Sequence, residues 1–180
     1  TLLDGEIILH DKNGKYINLY AVFDVYFINK IDVRSHLFAE PNIKDVASKK
    51  DDKKSRFNLM NEVVNNLNLH SVVKDTNTPI RISVKTFHVG TDTYSIFSGC
   101  STILKRIDDG LFEYNTDGLI FTPANLGVGS NIIGEAGPLR KITWEHSFKW
   151  KPSEFNTIDF MVTTVKNDRD EDVVNTMFEQ

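Results

Sequence analysis

The sequence predicts an α+β fold, with mostly antiparallel sheets and flanking helices. Three observations carry that expectation. A tight-turn signal, Asp11-Lys12-Asn13-Gly14, separates two apolar stretches. Two segments, 55–69 and 93–108, read as helices. The strand-like segments do not alternate regularly with them, as a doubly wound parallel sheet would require. Composition agrees with a globular chain. The 180 residues carry 21 Lys plus Arg against 25 Asp plus Glu, for a net charge of −4, and 40 % are hydrophobic. This excludes disordered and fibrous classes, and the length suits one domain. The acidic balance argues against coating nucleic acid by global charge and leaves a local basic cleft open.

Residues 5–28 read as a β-hairpin. On the return strand Ile17, Leu19, Ala21, Phe23, Val25 and Phe27 share one face, and Asn18, Tyr20, Val22, Asp24 and Tyr26 the other. Both faces are largely apolar, which predicts a central strand covered on both sides. Pro41 and the Lys49-Lys50-Asp51-Asp52-Lys53-Lys54 run predict a solvated loop entering a helix at 55–69. Ser55 is its candidate N-cap, and Phe57, Met60, Val64 and Leu67 form its apolar stripe. A strand follows at 80–89, where Ile80, Ile82 and Val84 alternate with Arg81, Ser83 and Lys85. The helix at 93–108 stops before Asp109-Gly110.

Residues 117–122 predict a strand stopped by Pro123. Residues 124–141 hold four glycines and one proline and have no clean period, which predicts a long loop. Strands are expected at 146–151 and 157–165. The acidic tail with Asp168, Asp170, Glu171 and Asp172 reads as a solvated connection.

Cys100 is the single cysteine, so no intramolecular disulfide or Cys-rich zinc site forms within the chain. The five histidines, at 10, 36, 70, 88 and 146, lack metal-ligand spacing. Gly127-Val128-Gly129-Ser130 lacks the lysine of a phosphate loop. No apolar run approaches the ~18 residues of a membrane span, and no signal-peptide pattern opens the chain, so a cytoplasmic location and no membrane partner are expected.

Lys149-Trp150-Lys151 is the most informative short segment. On a strand both ammonium groups fall on one face, about 7 Å apart, with Phe148 and Trp150 on the other. Two readings fit: a basic edge blunted against aggregation, or a pair aimed at phosphate. Asp4-Gly5-Glu6 and Asp117-Gly118 are each explained by a turn before a strand. Phe23 fits a core position as well as a base platform, and Asp24 fits a buried, hydrogen-bonded acid. Lys85 fits a solvated strand edge or a cleft.

The order of these pieces is more specific than any one of them. Residues 2–6, with Leu-Asp-Gly-Glu, precede Leu-Tyr-Ala-Val-Phe-Asp at 19–24, then Asp-Gly-Leu-Ile-Phe-Thr at 117–122 before Pro123, then Phe-Lys-Trp-Lys-Pro at 148–152. This order resembles motifs III, IIIa, IV and V of the covalent nucleotidyltransferase superfamily, which contains mRNA capping guanylyltransferases and ATP-dependent polynucleotide ligases. The resemblance spans almost the whole chain. Asp117, where ligases usually carry Glu, and the passage from Lys149 to Asn156-Thr157-Ile158-Asp159-Phe160 are more similar to capping enzymes. Trp144-Glu145-His146 with the intact Asp-Gly-Leu-Ile-Phe-Thr-Pro most resembles those of large cytoplasmic DNA viruses, which implies host cytoplasm or virion. The alternatives are a ligase adenylation domain and a catalytically silent binding paralogue.

The resemblance implies an ATP-grasp-like nucleotidyltransferase domain at 1–155, with 156–180 beginning the connection to an OB-fold domain. It implies GMP transfer from GTP to a 5′-diphosphate RNA end through a lysyl-GMP intermediate, with Mg²⁺ or Mn²⁺. Lys149 and Lys151 would face the α-phosphate, Glu6 the ribose and metal shell, Phe23 the base, and Asp117 the metal. All four acids and lysines would meet around one nucleotide. Attached triphosphatase and methyltransferase domains are possible partners. The chain contains no Lys-x-Asp-Gly, which carries the family's nucleophile, and lacks motif VI. It opens on Thr1-Leu2-Leu3, so a fragment lacking motif I is expected, inactive alone in forming the covalent intermediate.

Overall fold

The computed structural model describes residues 1–40, 54–67, 80–91, 93–140, 143–161 and 164–173. Pro41, the 49–53 charge run, His70 and residues 68–69 of the expected first helix lie outside them, and that helix ends earlier than expected, at Asn65 with Asn66 as its C-cap. The fold is mixed α and β, and among the described residues four of five strand pairings are antiparallel.

The main sheet is built on one long strand. β1 (Leu2–His10) and β2 (Tyr16–Ile28) form the expected hairpin. Its turn is closed by Asp11, whose carboxylate accepts from the backbone N–H of Asn13 and Lys15, and by Gly14 at φ +82°. β3 (Ile31–Asp32) pairs antiparallel with the end of β2, and β4 (Arg81–Val84) pairs parallel with its middle. β2 is therefore the central strand, as its two apolar faces require.

The strict alternation expected along β2 does not hold. Asp4 pairs with Asp24 but Gly5 pairs with Val22, so Phe23 is an extra residue in a β-bulge. A second shift lies between Leu2 and Leu3. The bulge brings Val22 and Val25, expected on opposite faces, into one fully buried cluster with Val33 and Met60. Ile17, Leu19 and Ala21 form a second cluster with Ile8 and Tyr114.

α1 (Arg56–Asn65) covers the first cluster. The Ser55 hydroxyl accepts from the Asn58 N–H and caps it. Met60 is fully buried, Phe57 and Val64 pack partly, and Leu67 remains exposed at the end of the stripe. α2 (Ile96–Asp108) is capped by Ser95 and ends at Asp109, with Gly110 at φ +66°.

Arg56, which the sequence did not single out, joins four parts of the fold. Its side chain is fully buried. Nε and Nη2 donate to both carboxylate oxygens of Asp24 at 2.8 and 3.1 Å. Nη1 donates to the carbonyls of His36 and of Leu126, the latter at 3.1 Å. The guanidinium also lies over the Phe38 ring. The central strand, the start of α1, the 33–39 segment and the long loop thus share one cation. Backbone bonds from Ala39 to Ala124 and from Val128 to Arg34 seat the loop further.

β5 (Leu119–Phe121) and β6 (Phe148–Trp150) form a separate two-stranded ribbon. The strand expected at 157–165 does not form over its described part, and residues 162–163 lie outside the described residues. Residues 157–161 carry no regular structure, and Ile158, Phe160 and Met161 are exposed. Val165–Lys166 (β7) instead pairs with Asp172–Val173 (β8). The reason is local: the Asn167 side chain accepts from the N–H of Arg169 and Glu171, closing a turn within the acidic run. Among the described residues no helix is long and apolar enough to cross a membrane.

Candidate functional site

The sequence-predicted site residues fall into two groups. The first lies on the main sheet. The Glu6 carboxylate and the Lys85 ammonium form an ion pair at 2.8 Å, and Lys85 Nζ lies 5.8 Å from the centre of the Phe23 ring. The backbone explains the meeting. The Lys85 N–H donates to the Val22 carbonyl, which carries the parallel pairing one residue past β4 and sets Lys85 beside the bulge. The bulge leaves Phe23 half-buried while its neighbours Val22 and Asp24 are buried. Phe23 is thus outside both core clusters and presents its ring to a cation. Lys85 thus contacts both of the residues expected near the nucleotide, Glu6 and Phe23.

Gly5 has a specific reason in this group. A Cβ there would stand 2.8 Å from both the Ala21 carbonyl oxygen and the Tyr20 ring. The Tyr20 hydroxyl donates to the Leu3 carbonyl at 2.9 Å, so the ring cannot withdraw without losing that bond. Asp4 accepts a hydrogen bond from the Tyr26 hydroxyl. Burial first, then this bond and the Asp4 charge, pushes the Tyr26 hydroxyl well above its ordinary pKa.

The second group lies on the ribbon. Leu119 pairs with Trp150, Ile120 with Lys149 and Phe121 with Phe148. This register sets Asp117 beside Lys151, and their side chains form an ion pair at 2.5 Å. Lys151, with a smaller contribution from Lys149, holds the Asp117 carboxyl below the ordinary carboxylate value. One acid and two lysines distant in sequence therefore share one electrostatic neighbourhood. All three are solvent-accessible.

Gly118 makes the approach possible. It sits at φ +148°, and a Cβ would lie 2.0 Å from the Trp150 carbonyl oxygen. Gly118→Ala is expected to push β5 off β6 and break the Asp117–Lys151 pair. The check is the NMR chemical shift of the Lys151 ammonium and the Asp117 carboxyl, which should return to free-side-chain values.

Among the described residues no hydrogen bond or ion pair joins Glu6 or Phe23 to Asp117, Lys149 or Lys151. The two groups ride on different sheets, linked through the 33–39 segment and the loop clamped by Arg56 and also through Glu113 and Tyr114, which bond and pack against the main sheet just before Asp117. An open groove of about 390 Å³ lies beside the ribbon, lined by Phe121, Thr122, Asn125, His146 and Phe148 among others. None of the expected site residues lines it. The sequence offered only a weak signal for it, because the facing of Phe121 and Phe148 is set by strand register.

No cluster of three or more His, Cys, Asp or Glu suited to a metal occurs among the described residues. Asp117 alone fits Mg²⁺ or Mn²⁺ only as one ligand beside substrate phosphates, a mode that Mg²⁺ commonly uses. Comparison of the chain with models of known families, with curated proteins and with solved structures finds no match.

Proposed function

We propose that this chain supplies the nucleotide- and phosphate-binding parts of an mRNA guanylyltransferase. The enzyme would transfer GMP from GTP to a 5′-diphosphate RNA end. The observation that carries the reading is the ribbon, where Asp117, Lys149 and Lys151 share one patch in the order the motifs predict. The second support is that Glu6 and Phe23, distant in motif position, meet at Lys85.

The chemistry needs what these groups offer. An amine attacking a polyanionic triphosphate meets charge repulsion, and cations aimed at the α-phosphate lower that barrier electrostatically. Lys149 is without an ion-pair partner among the described residues, and Lys151 would exchange Asp117 for phosphate. Asp117 would then serve a divalent cation held jointly with the triphosphate, which supplies further charge neutralisation when bound. Lys85 keeps Glu6 oriented beside the Phe23 ring, on which a base would stack. The two groups would be bridged by the nucleotide itself. The nucleophilic lysine is not among these residues, so the covalent step requires a Lys-x-Asp-Gly segment supplied with them.

The test is covalent labelling. A polypeptide joining this chain to a Lys-x-Asp-Gly segment should take label from [α-³²P]GTP and not from ATP. Label from ATP alone would assign a ligase adenylation domain. Binding of neither nucleotide would leave a silent paralogue. In the same protein Phe23→Ala should weaken GTP binding by about 5- to 100-fold, the loss of one stacking contact, with little change in Tm. A large drop in Tm with unchanged affinity would instead make Phe23 a packing residue.

A further inference from the structure

We propose that the β5–β6 ribbon and the groove beside it bind single-stranded RNA, with bases on the aromatic face and phosphates along the lysine face. The inference rests on the reading of Lys149 and Lys151 as phosphate ligands and adds where the acceptor strand lies.

The ribbon is two-faced. Phe148 and Trp150 point to one side, opposite Phe121 and Leu119 across the pair, while Lys149 falls on the other side with Ile120. Phe148 is 62 % exposed and Trp150 44 % exposed, unusual for large aromatics on a strand. Among the described residues the outer edge of β6 has no strand partner. A single strand running along that edge would place its bases on the aromatic side and its phosphates on the lysine side. The two-residue step between Lys149 and Lys151, about 7 Å, matches the phosphate repeat of an extended ribonucleotide chain.

The groove selects a nucleobase over other occupants. Two aromatic rings, Phe121 and Phe148, line it together with Pro123, Leu126, the neutral polar side chains of Thr122 and Asn125 and the imidazole of His146. Among the described residues no carboxylate lines it. Aromatic faces stack on any base, and amide, hydroxyl and imidazole groups can meet base edges. At about 390 Å³ it lies at the small-ligand end of binding cavities. Lys149, next in sequence to the lining residue Phe148 but on the ribbon's opposite face, has no ion-pair partner among the described residues and gives the ribbon a charge complementarity that an apolar peptide would not use.

The experiment is fluorescence anisotropy of a short 3′-labelled oligoribonucleotide with a 5′ diphosphate, titrated with the whole chain, alongside Mg·GTP binding by calorimetry. Phe148→Leu keeps apolar bulk but removes the ring. It should weaken RNA binding by about 5- to 100-fold and leave GTP affinity and Tm within error, while Phe148→Tyr should retain RNA binding. RNA affinity should fall with salt, and less steeply in Lys149→Ala. The site is overturned by RNA affinity within twofold in Phe148→Leu, or by equal binding of a blunt duplex. It is also overturned by a dimer in sedimentation that Phe148→Leu dissociates, since a second copy would then cover the face. RNA binding that depends on Phe148 without any GTP binding would sink the guanylyltransferase reading and keep this site. GTP binding with Phe148-independent RNA affinity would do the reverse.

Discussion

Arg56→Ala should lower the free energy of unfolding by about 3–5 kcal/mol, the usual effect of removing one partner of a buried ion pair. The loss has several sources. The substitution leaves the Asp24 carboxylate, also buried, without its two guanidinium donors. It also leaves the His36 and Leu126 carbonyls without Nη1. Each unsatisfied buried group costs its own desolvation. Because Leu126 lies in the loop that runs from β5 toward β6, the variant should also loosen the ribbon. Urea denaturation gives the stability, and amide exchange of residues 124–137 gives the loosening. A compensated pair, Asp24→Leu with Arg56→Met, should recover much of the loss, since well-packed apolar replacements of a buried ion pair are often neutral. A single-variant cost below about 1 kcal/mol would show that the clamp does not hold the loop.

The second large effect is on chemistry. In a labelling-competent protein, Lys149→Ala and Lys151→Ala should each reduce lysyl-GMP formation by about 10²- to 10³-fold, the range found when one preorganised charge-stabilising group is removed. Both side chains are solvent-accessible, so the melting temperature should hold. Wild-type labelling in both variants would exclude the phosphate role. Lys151→Ala has a second readout. Lys151 depresses the Asp117 pKa in the folded protein, so the pair's stabilisation is present above the ordinary value of 3.8 and is lost as pH falls through the depressed value. Without Lys151 the carboxyl titration followed by ¹³C NMR should move back up toward 3.8. The pair is exposed, so its stability contribution stays under about 1 kcal/mol.

Much of this was legible in the linear order of residues. Turn chemistry at Asp11 to Gly14, the Ser55 cap and the Asp109-Gly110 stop are local effects, and each appears where expected, whereas the stripe loses Leu67 past the helix end. The resemblance singled out Asp117, Lys149 and Lys151 without pairing their strands; the register of the ribbon sets Asp117 beside Lys151. Other features depend on what lies across the chain. The Phe23 bulge arises from the register against Asp4 and Gly5, and one extra residue undoes a period-two reading of faces. Arg56 looks like an ordinary first-turn residue until Asp24, 32 positions away, is seen beside it. The letters at 157–165 promised a strand, but a strand is stable only against a partner edge, and residues 157–161 have none among the described residues.

The amino-acid order by itself determined the class of fold, two helices and the Ser55 cap of the first, the central hairpin and the candidate acids and lysines. Those depend on interactions within a few residues or on composition. Only the tertiary structure decided that Lys85 joins Glu6 and Phe23, that Arg56 clamps the loop, and that Phe148 and Trp150 stand open beside a groove. Register and long-range pairing set those outcomes, because shifting a strand by one residue exchanges its two faces.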